Sequence, residues 1–198
     1  FVLDKMGLRP GQSAIDVAGG TADLAIGMAK QVGETGKVTL FDINREMLVL
    51  GKDKCIDHGL LKNLTYTQGD AEAIPFADSS FHLAVVGFGI RNVTHIDRAL
   101  SEMARVVKPG GKVFCLEFST PINEAFAKVY DLYSFKLIPA IGELVTKDRD
   151  SYTYLAESIR KFPKQDELKQ MMEEAGLFKV KYYNLFGGIA ALHMGYKV

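Results

Sequence analysis

The chain has 198 residues, with 24 Lys plus Arg against 24 Asp plus Glu, 47% hydrophobic and 24% charged residues. That balance excludes a disordered or fibrous protein and gives no electrostatic case for a nucleic-acid partner, and the length suits one domain. No apolar run reaches membrane-spanning length and no signal-peptide pattern is seen. The two cysteines, Cys55 and Cys115, have neither metal-ligand spacing nor the number for a disulfide framework, so reduced thiols of an intracellular protein, and no metal site, are expected.

Short β-rich runs alternate with helical patterns, which predicts βαβ units around a parallel sheet. A first strand over Ser13–Val17 is followed by a helix from Thr21 to Gln31, with Asp23 in its first turn. Val38–Asp42 reads as the second strand; Asn44 then caps a helix that reaches His58 and stops at Gly59. Leu64–Gln68 reads as the third strand. Phe81–Phe88 reads as the fourth, nearly continuously apolar as a strand covered on both faces should be. A helix over Ile96–Val107 is closed by Lys108-Pro109-Gly110-Gly111, and Lys112–Phe118 forms the fifth strand. From Pro121 to Lys161 the pattern is helical with interruptions near Pro139 and Gly142, and Asp166–Ala175 is a further helix. Phe178–Phe186 and Ile189–Lys197 then flank Gly187-Gly188 as a hairpin, which requires one antiparallel strand. The expected fold is α/β: a doubly wound, mostly parallel seven-stranded sheet, with a C-terminal antiparallel hairpin and a helical insertion (121–163) after the fifth strand.

Three loops at successive strand ends carry candidate ligand chemistry. The turn Asp16-Val17-Ala18-Gly19-Gly20-Thr21-Ala22-Asp23 is rich in small residues, as needed where backbone and a helix N-terminus approach a ligand. Alone it is weak evidence, because a tight strand-to-helix turn without a ligand is the competing reading. Asp42 ends the second strand, where open α/β sheets bind ligands, and its carboxylate can accept from both hydroxyls of a ribose; capping of the next helix is the competing role, for which Asn44 is better placed. Gly69-Asp70-Ala71-Glu72 follows the third strand, where a carboxylate can accept from an exocyclic amine and the Ala71 N–H can meet a ring nitrogen. The turn does not match Gly-x-Gly-x-x-Gly, which disfavours a nicotinamide dinucleotide.

These segments occur in order with Gly87-Phe88-Gly89-Ile90-Arg91-Asn92-Val93, Leu116-Glu117-Phe118-Ser119, Tyr154-Leu155-Ala156-Glu157-Ser158 and His193-Met194-Gly195-Tyr196-Lys197. Together they closely resemble the ubiquinone/menaquinone biosynthesis C-methyltransferases, the UbiE family of class I S-adenosylmethionine-dependent methyltransferases, over essentially the whole chain. The resemblance implies methyl transfer from S-adenosylmethionine to a ring carbon of a polyprenyl benzoquinol or naphthoquinol. It implies that Ala18, Gly20, Thr21, Asp42, Asp70, Ala71 and Gly87 form the cofactor site. Gly87 stands where many members have Ser, and Ala18 and Ala22 where the general pattern favours Gly. Family members carry a further N-terminal segment ahead of the position of Phe1, which is expected to help close the site.

Methylating carbon needs an electron-rich ring, and a phenol of pKa about 10 must lose its proton. Arg91 is a candidate for holding the phenolate oxygen, directly or with a water, or else for an ion pair with a nearby carboxylate. Glu117 is a second acid–base candidate or a buried anchor. Asn92 either meets a ring oxygen or caps the next helix, and His193 reads as structural. In the 122–145 segment, Phe126, Val129, Tyr130, Tyr133 and Leu137 share one apolar helical face, which packs on the domain, meets a second copy, or forms a lid for the quinol ring, with Tyr133 a substrate-binding candidate. The expected partners are a polyprenyl quinol, a membrane surface touched peripherally, and a second copy or a quinone-biosynthesis complex. The expected location is the bacterial cytoplasm, with the mitochondrial matrix side as the alternative. A cofactor-binding scaffold subunit and a methyltransferase of another small acceptor are the competing functions.

Overall fold

The computed structural model describes residues 1–60, 62–123 and 149–198. Seven strands form one sheet in the order β3-β2-β1-β4-β5-β7-β6: β1 (Ser13–Val17), β2 (Lys37–Asp42), β3 (Leu64–Gln68), β4 (Phe81–Gly87), β5 (Val107–Phe118), β6 (Leu177–Leu185) and β7 (Ala190–Lys197). The first five run parallel, and β7 pairs antiparallel with both β5 and β6. The expected topology is therefore present, its order reversing between β1 and β4, where a crevice opens beyond the strand ends.

Helices cover both faces, and the alternation along each strand assigns its residues to two cores. Ile15 and Val17, Ala84 and Val86, and Val113 and Cys115 join the core under α4 (Ile96–Val106) and α6 (Gln165–Glu174). Their neighbours Ala14, Leu83, Val85, Phe114 and Leu116 join the core under α1 (Val2–Met6), α2 (Asp23–Val32) and α3 (Arg45–Asp57). Cys55 and Cys115 are buried free thiols, one in each core. The fifth helix described, α5 (Arg149–Lys161), precedes α6.

Several boundaries differ from expectation for local reasons. Helix α1, which no periodicity announced, buries Met6 and ends at Gly7 in a left-handed conformation. Helix α2 starts at Asp23 rather than Thr21, because Ala22 takes φ 68°. Strand β5 begins at Val107, so Lys108-Pro109-Gly110-Gly111 is not a simple helix stop. Val107 already pairs with Phe81, and the register shifts before Lys112 meets Leu83. The Gly187-Gly188 connection is a short 3-10 turn over Phe186–Gly188; a Cβ on Gly188 would sit 2.8 Å from the Ile122 amide nitrogen, a close approach that only glycine allows. Of the expected 121–163 insertion, residues 124–148 lie outside the described residues, and with them Phe126 and Tyr133.

Candidate active site

The carboxyl ends of β1, β2, β3 and β4 surround a cavity of about 650 Å³. Its first wall is the turn after β1. Ala18 (φ 52°), Gly20 (φ 49°) and Ala22 (φ 68°) all adopt positive φ, which explains why small residues, and Gly above all, suit these places. Ala22 is fully buried and fills core volume that Gly would leave empty. The turn is held from behind: a Cβ on Gly51 of α3 would lie 2.6 Å from the Gly20 carbonyl oxygen, and one on Gly89 would lie 2.6 Å from Ala18 Cβ.

Asp42 is buried at the end of β2. Its Oδ2 accepts from the Gly20 N–H at 2.9 Å and its Oδ1 from the Asn44 N–H at 2.8 Å. One carboxylate thus joins the turn after β1 to the start of α3, and each of its oxygens, on the wall of the cavity, keeps a further acceptor site. Capping falls to Asn44, whose Oδ1 accepts from Glu46 and Met47, as expected. Thr21 Oγ1 donates to Asp23 at 2.9 Å, and Asp23 pairs with Lys54 at 2.6 Å. After β3, Asp70 Oδ1 accepts from the Glu72 N–H, and the Ala73 N–H returns to the Asp70 carbonyl, a turn that leaves Ala71 on the cavity wall. Glu72 accepts from the His95 N–H at 2.9 Å and meets His95 Nδ1 at 2.7 Å, closing the rim between two loops. Gly87 lines the cavity as expected, and a Cβ there would lie 2.7 Å from Leu24 Cδ1. All seven residues expected to hold a cofactor therefore share one cavity.

Sequence reasoning missed three contributors. Ile43 and Met47 are apolar yet exposed at the cavity edge, an arrangement that marks a binding surface; their position next to Asp42 was the available signal. Asp16 is the third. It is 1% exposed, its Oδ2 accepts from the Ala25 N–H at 3.0 Å, and its Oδ1 has no partner among the described residues. Burial, only partly opposed by the Ala25 bond and reinforced by Asp42 and Asp23, raises its pKa from 3.8 to about 7. A raised folded pKa means that stability carried by the neutral carboxyl is complete below pH 3.8 and is lost as pH rises through about 7. Wild-type protein is therefore expected to lose on the order of 3 kcal/mol between pH 5 and 8 from this group, read as a fall in Tm of several degrees that Asp16→Asn does not share. Equal falls in both proteins would refute this assignment.

The loop after β4 arranges its polar residues differently from expectation. Arg91 does not line the cavity; Phe88, Gly89, Asn92, Val93 and Thr94 do. The ion pair foreseen as Arg91's competing role is present: Nη1 lies 2.9 Å from Glu117 Oε1 and also donates to the Phe88 carbonyl. Arg91 lies over the Phe118 ring at 5.4 Å, and its Nε is buried without a partner among the described residues. Glu117 is 1% exposed and also accepts from the Phe118 N–H at 2.9 Å, which makes it the buried anchor of this loop. Burial raises its pKa, against the opposing pull of Arg91. Asn92 does not cap α4, which starts after His95 without a side-chain cap. Its Oδ1 instead accepts from the Tyr154 hydroxyl at 3.1 Å, which ties α5 to the cavity wall. His193 is buried with Nε2 2.9 Å from the Gln165 carbonyl, away from the cavity as its structural reading requires.

The electrostatics select among ligands. Asp16, Asp23, Asp42, Asp70 and Glu72 line the cavity, and among the described residues no Lys or Arg does. Such a wall suits a ligand that carries positive charge and a ribose, and opposes a pyrophosphate.

The chain matches the ubiE/COQ5 methyltransferase family over residues 1–197. It is 54% identical over 197 residues to the "Ubiquinone/menaquinone biosynthesis C-methyltransferase UbiE" of Shewanella pealeana, covering all of this chain and 78% of that protein. The protein of the same name from Escherichia fergusonii is 53% identical over the same share of both chains. Among solved structures, a SAM-dependent methyltransferase from Aquifex aeolicus superposes with a TM-score of 0.73 at 22% identity, over 100% of this chain and 88% of that one. At that identity the likeness speaks for the fold alone.

Proposed function

The chain belongs to the ubiE/COQ5 methyltransferase family, and from that membership we infer that it transfers a methyl group from S-adenosylmethionine to a ring carbon of a polyprenyl benzoquinol or naphthoquinol in ubiquinone/menaquinone biosynthesis. The observation that carries this reading is the acidic lining of the cavity, Asp23, Asp42, Asp70 and Glu72, with no Lys or Arg among the described residues that line it. S-adenosylmethionine has a sulfonium and an ammonium against one carboxylate, so it fits that wall where a dinucleotide's pyrophosphate does not. Asp42 would hold the ribose hydroxyls, Asp70 and Ala71 the adenine edge with Ile43 and Met47 against its face, and the turn from Ala18 to Thr21 the amino-acid end, with Gly87 lining the wall nearby. When bound, the cofactor supplies an electrophilic methyl group.

The remaining work falls to the loop after β4. Asn92 spends its amide oxygen on Tyr154, which leaves its amide nitrogen to donate to an oxygen of the acceptor ring. Arg91 is held behind it by Glu117 and Phe118. Its unpartnered Nε supports a part in stabilising the phenolate oxygen through a bound water, since buried donors are rarely left unsatisfied. Glu117 acts as a positioning residue for this cation, not as the base.

Among the described residues no helix is long and apolar enough to cross a membrane. A polyprenyl acceptor resides in a bilayer, so the protein works as a peripheral membrane enzyme, on the bacterial cytoplasmic side or, alternatively, the mitochondrial matrix side. Ile122 and Phe186, both exposed and joined where the Ile122 N–H meets the Gly187 carbonyl at 3.1 Å, support that contact.

Calorimetric titration tests the cofactor assignment. S-adenosylhomocysteine is expected to bind saturably and NAD not at all; NAD binding at comparable affinity would overturn the charge argument.

A further inference from the structure

A second pocket, of about 410 Å³, lies at the opposite end of the sheet, where β1, β4 and β5 begin. Its charge is the reverse of the first: Arg9, Lys108 and Lys112 line it, and among the described residues no Asp or Glu does. None of the three makes an ion pair with a described carboxylate. Unpaired cations gathered in a concavity repel one another, an arrangement that a bound anion relieves.

His82 lines the same pocket. The Ser13 backbone N–H, which can only donate, meets His82 Nδ1 at 3.1 Å. Nδ1 is therefore the acceptor, and the proton of the neutral ring sits on Nε2. Burial and the Lys108 ammonium hold the His82 pKa below its usual value, which keeps the ring neutral. Yet Nε2 lies 3.5 Å from Lys108 Nζ. An imidazole N–H and an ammonium are both donors, so this contact is not a hydrogen bond. Two donors thus converge, with no acceptor between them among the described residues. Lys112 Nζ is anchored at 3.1 Å on the Met6 carbonyl, which keeps a further cation in the same pocket. Gly7, Gly110 and Gly111 line the pocket without side chains and leave it open to an anion of several oxygens.

We propose that this pocket binds a phosphate-class oxyanion, held by Lys108, His82 Nε2–H, Lys112 and Arg9. The anion's oxygens supply the acceptors that these donors lack, as a free phosphate or diphosphate or as a lipid headgroup. Because the pocket is at the far end of the sheet from the cofactor cavity, the two sites fill independently.

The test is titration of the whole chain with inorganic diphosphate at constant ionic strength balanced with sodium chloride. Saturable binding is expected, weakened about tenfold or more in Lys108→Gln, the loss of one charge-assisted contact, with Lys52→Gln on exposed α3 unchanged. S-adenosylhomocysteine binding, expected to be unaltered in Lys108→Gln, shows that the variant is folded. Vesicles of phosphatidylcholine with phosphatidylglycerol separate the two sources. Capture that Lys108→Gln abolishes assigns the site to a headgroup, and saturable diphosphate binding without capture assigns it to a free anion. Neither diphosphate binding nor vesicle capture by the wild type would overturn the proposal, as would equal weakening by Lys52→Gln or none by Lys108→Gln.

Discussion

Asp42→Ala is expected to weaken S-adenosylhomocysteine binding by about 10²-fold or more, since hydrogen bonds to a charged group contribute about 1.5–3 kcal/mol each and the variant removes at least two toward the ribose. The same carboxylate holds the Gly20 and Asn44 amides, so its loss also frees the turn that should receive the amino-acid end. Asp42→Asn grades the effect: its single amide oxygen can hold only one of the two amides, and its NH2 faces the other as a second donor, so its Tm and its affinity are both expected to fall between wild type and alanine. Calorimetry reads both. An alanine variant that binds as the wild type does would mean that the ribose is held elsewhere.

Breaking the Arg91–Glu117 pair is expected to have the second large effect. Glu117 is 1% exposed and Arg91 only partly so, and removing one member of a buried pair leaves an uncompensated charge that costs about 3–5 kcal/mol. Arg91→Ala should therefore lower Tm by roughly 10 °C. Exchange of both partners, Arg91→Met with Glu117→Leu, should restore part of that stability, because apolar pairs can replace buried ion pairs, while the Phe118 N–H that Glu117 held is left without its acceptor. Methyl transfer should not return with it. A double variant that is stable, binds S-adenosylhomocysteine and has kcat reduced about 10-fold or more would separate the role of Arg91 at the acceptor from its role in the fold. Full activity in that variant would reduce the pair to a structural anchor.

Much of this site was legible in the sequence because its signals are local. A carboxylate at a strand end, a small-residue turn and a capping Asn44 each follow from neighbouring residues, and all lie where expected. The antiparallel β7 was legible too, since a terminal hairpin on a parallel sheet allows few alternatives. What the sequence hid depends on distant partners. Asp16 looks like one more motif residue until its burial and its unpartnered oxygen are seen. Arg91 and Glu117 are 26 positions apart, and only the pairing of β4 with β5 decides that they meet. Asn92 looked like a helix cap because α4 follows it, but Tyr154, 62 residues on, claims its oxygen. Helix α1 is too short for periodicity to register and exists through Met6 packing in the core. The oxyanion pocket draws on three segments, around Arg9, His82 and Lys108 to Lys112, none of which carries a recognisable motif.

Methyl transfer to a ring carbon is read by incubating the protein with methyl-deuterated S-adenosylmethionine and a short-tailed demethylated quinol and locating the label by mass spectrometry and NMR. A trideuteromethyl group on a ring carbon is expected, with none formed by Asp42→Ala. Label on a phenolic oxygen, or cofactor binding with no transfer to any quinol, would rule out C-methylation in this cavity.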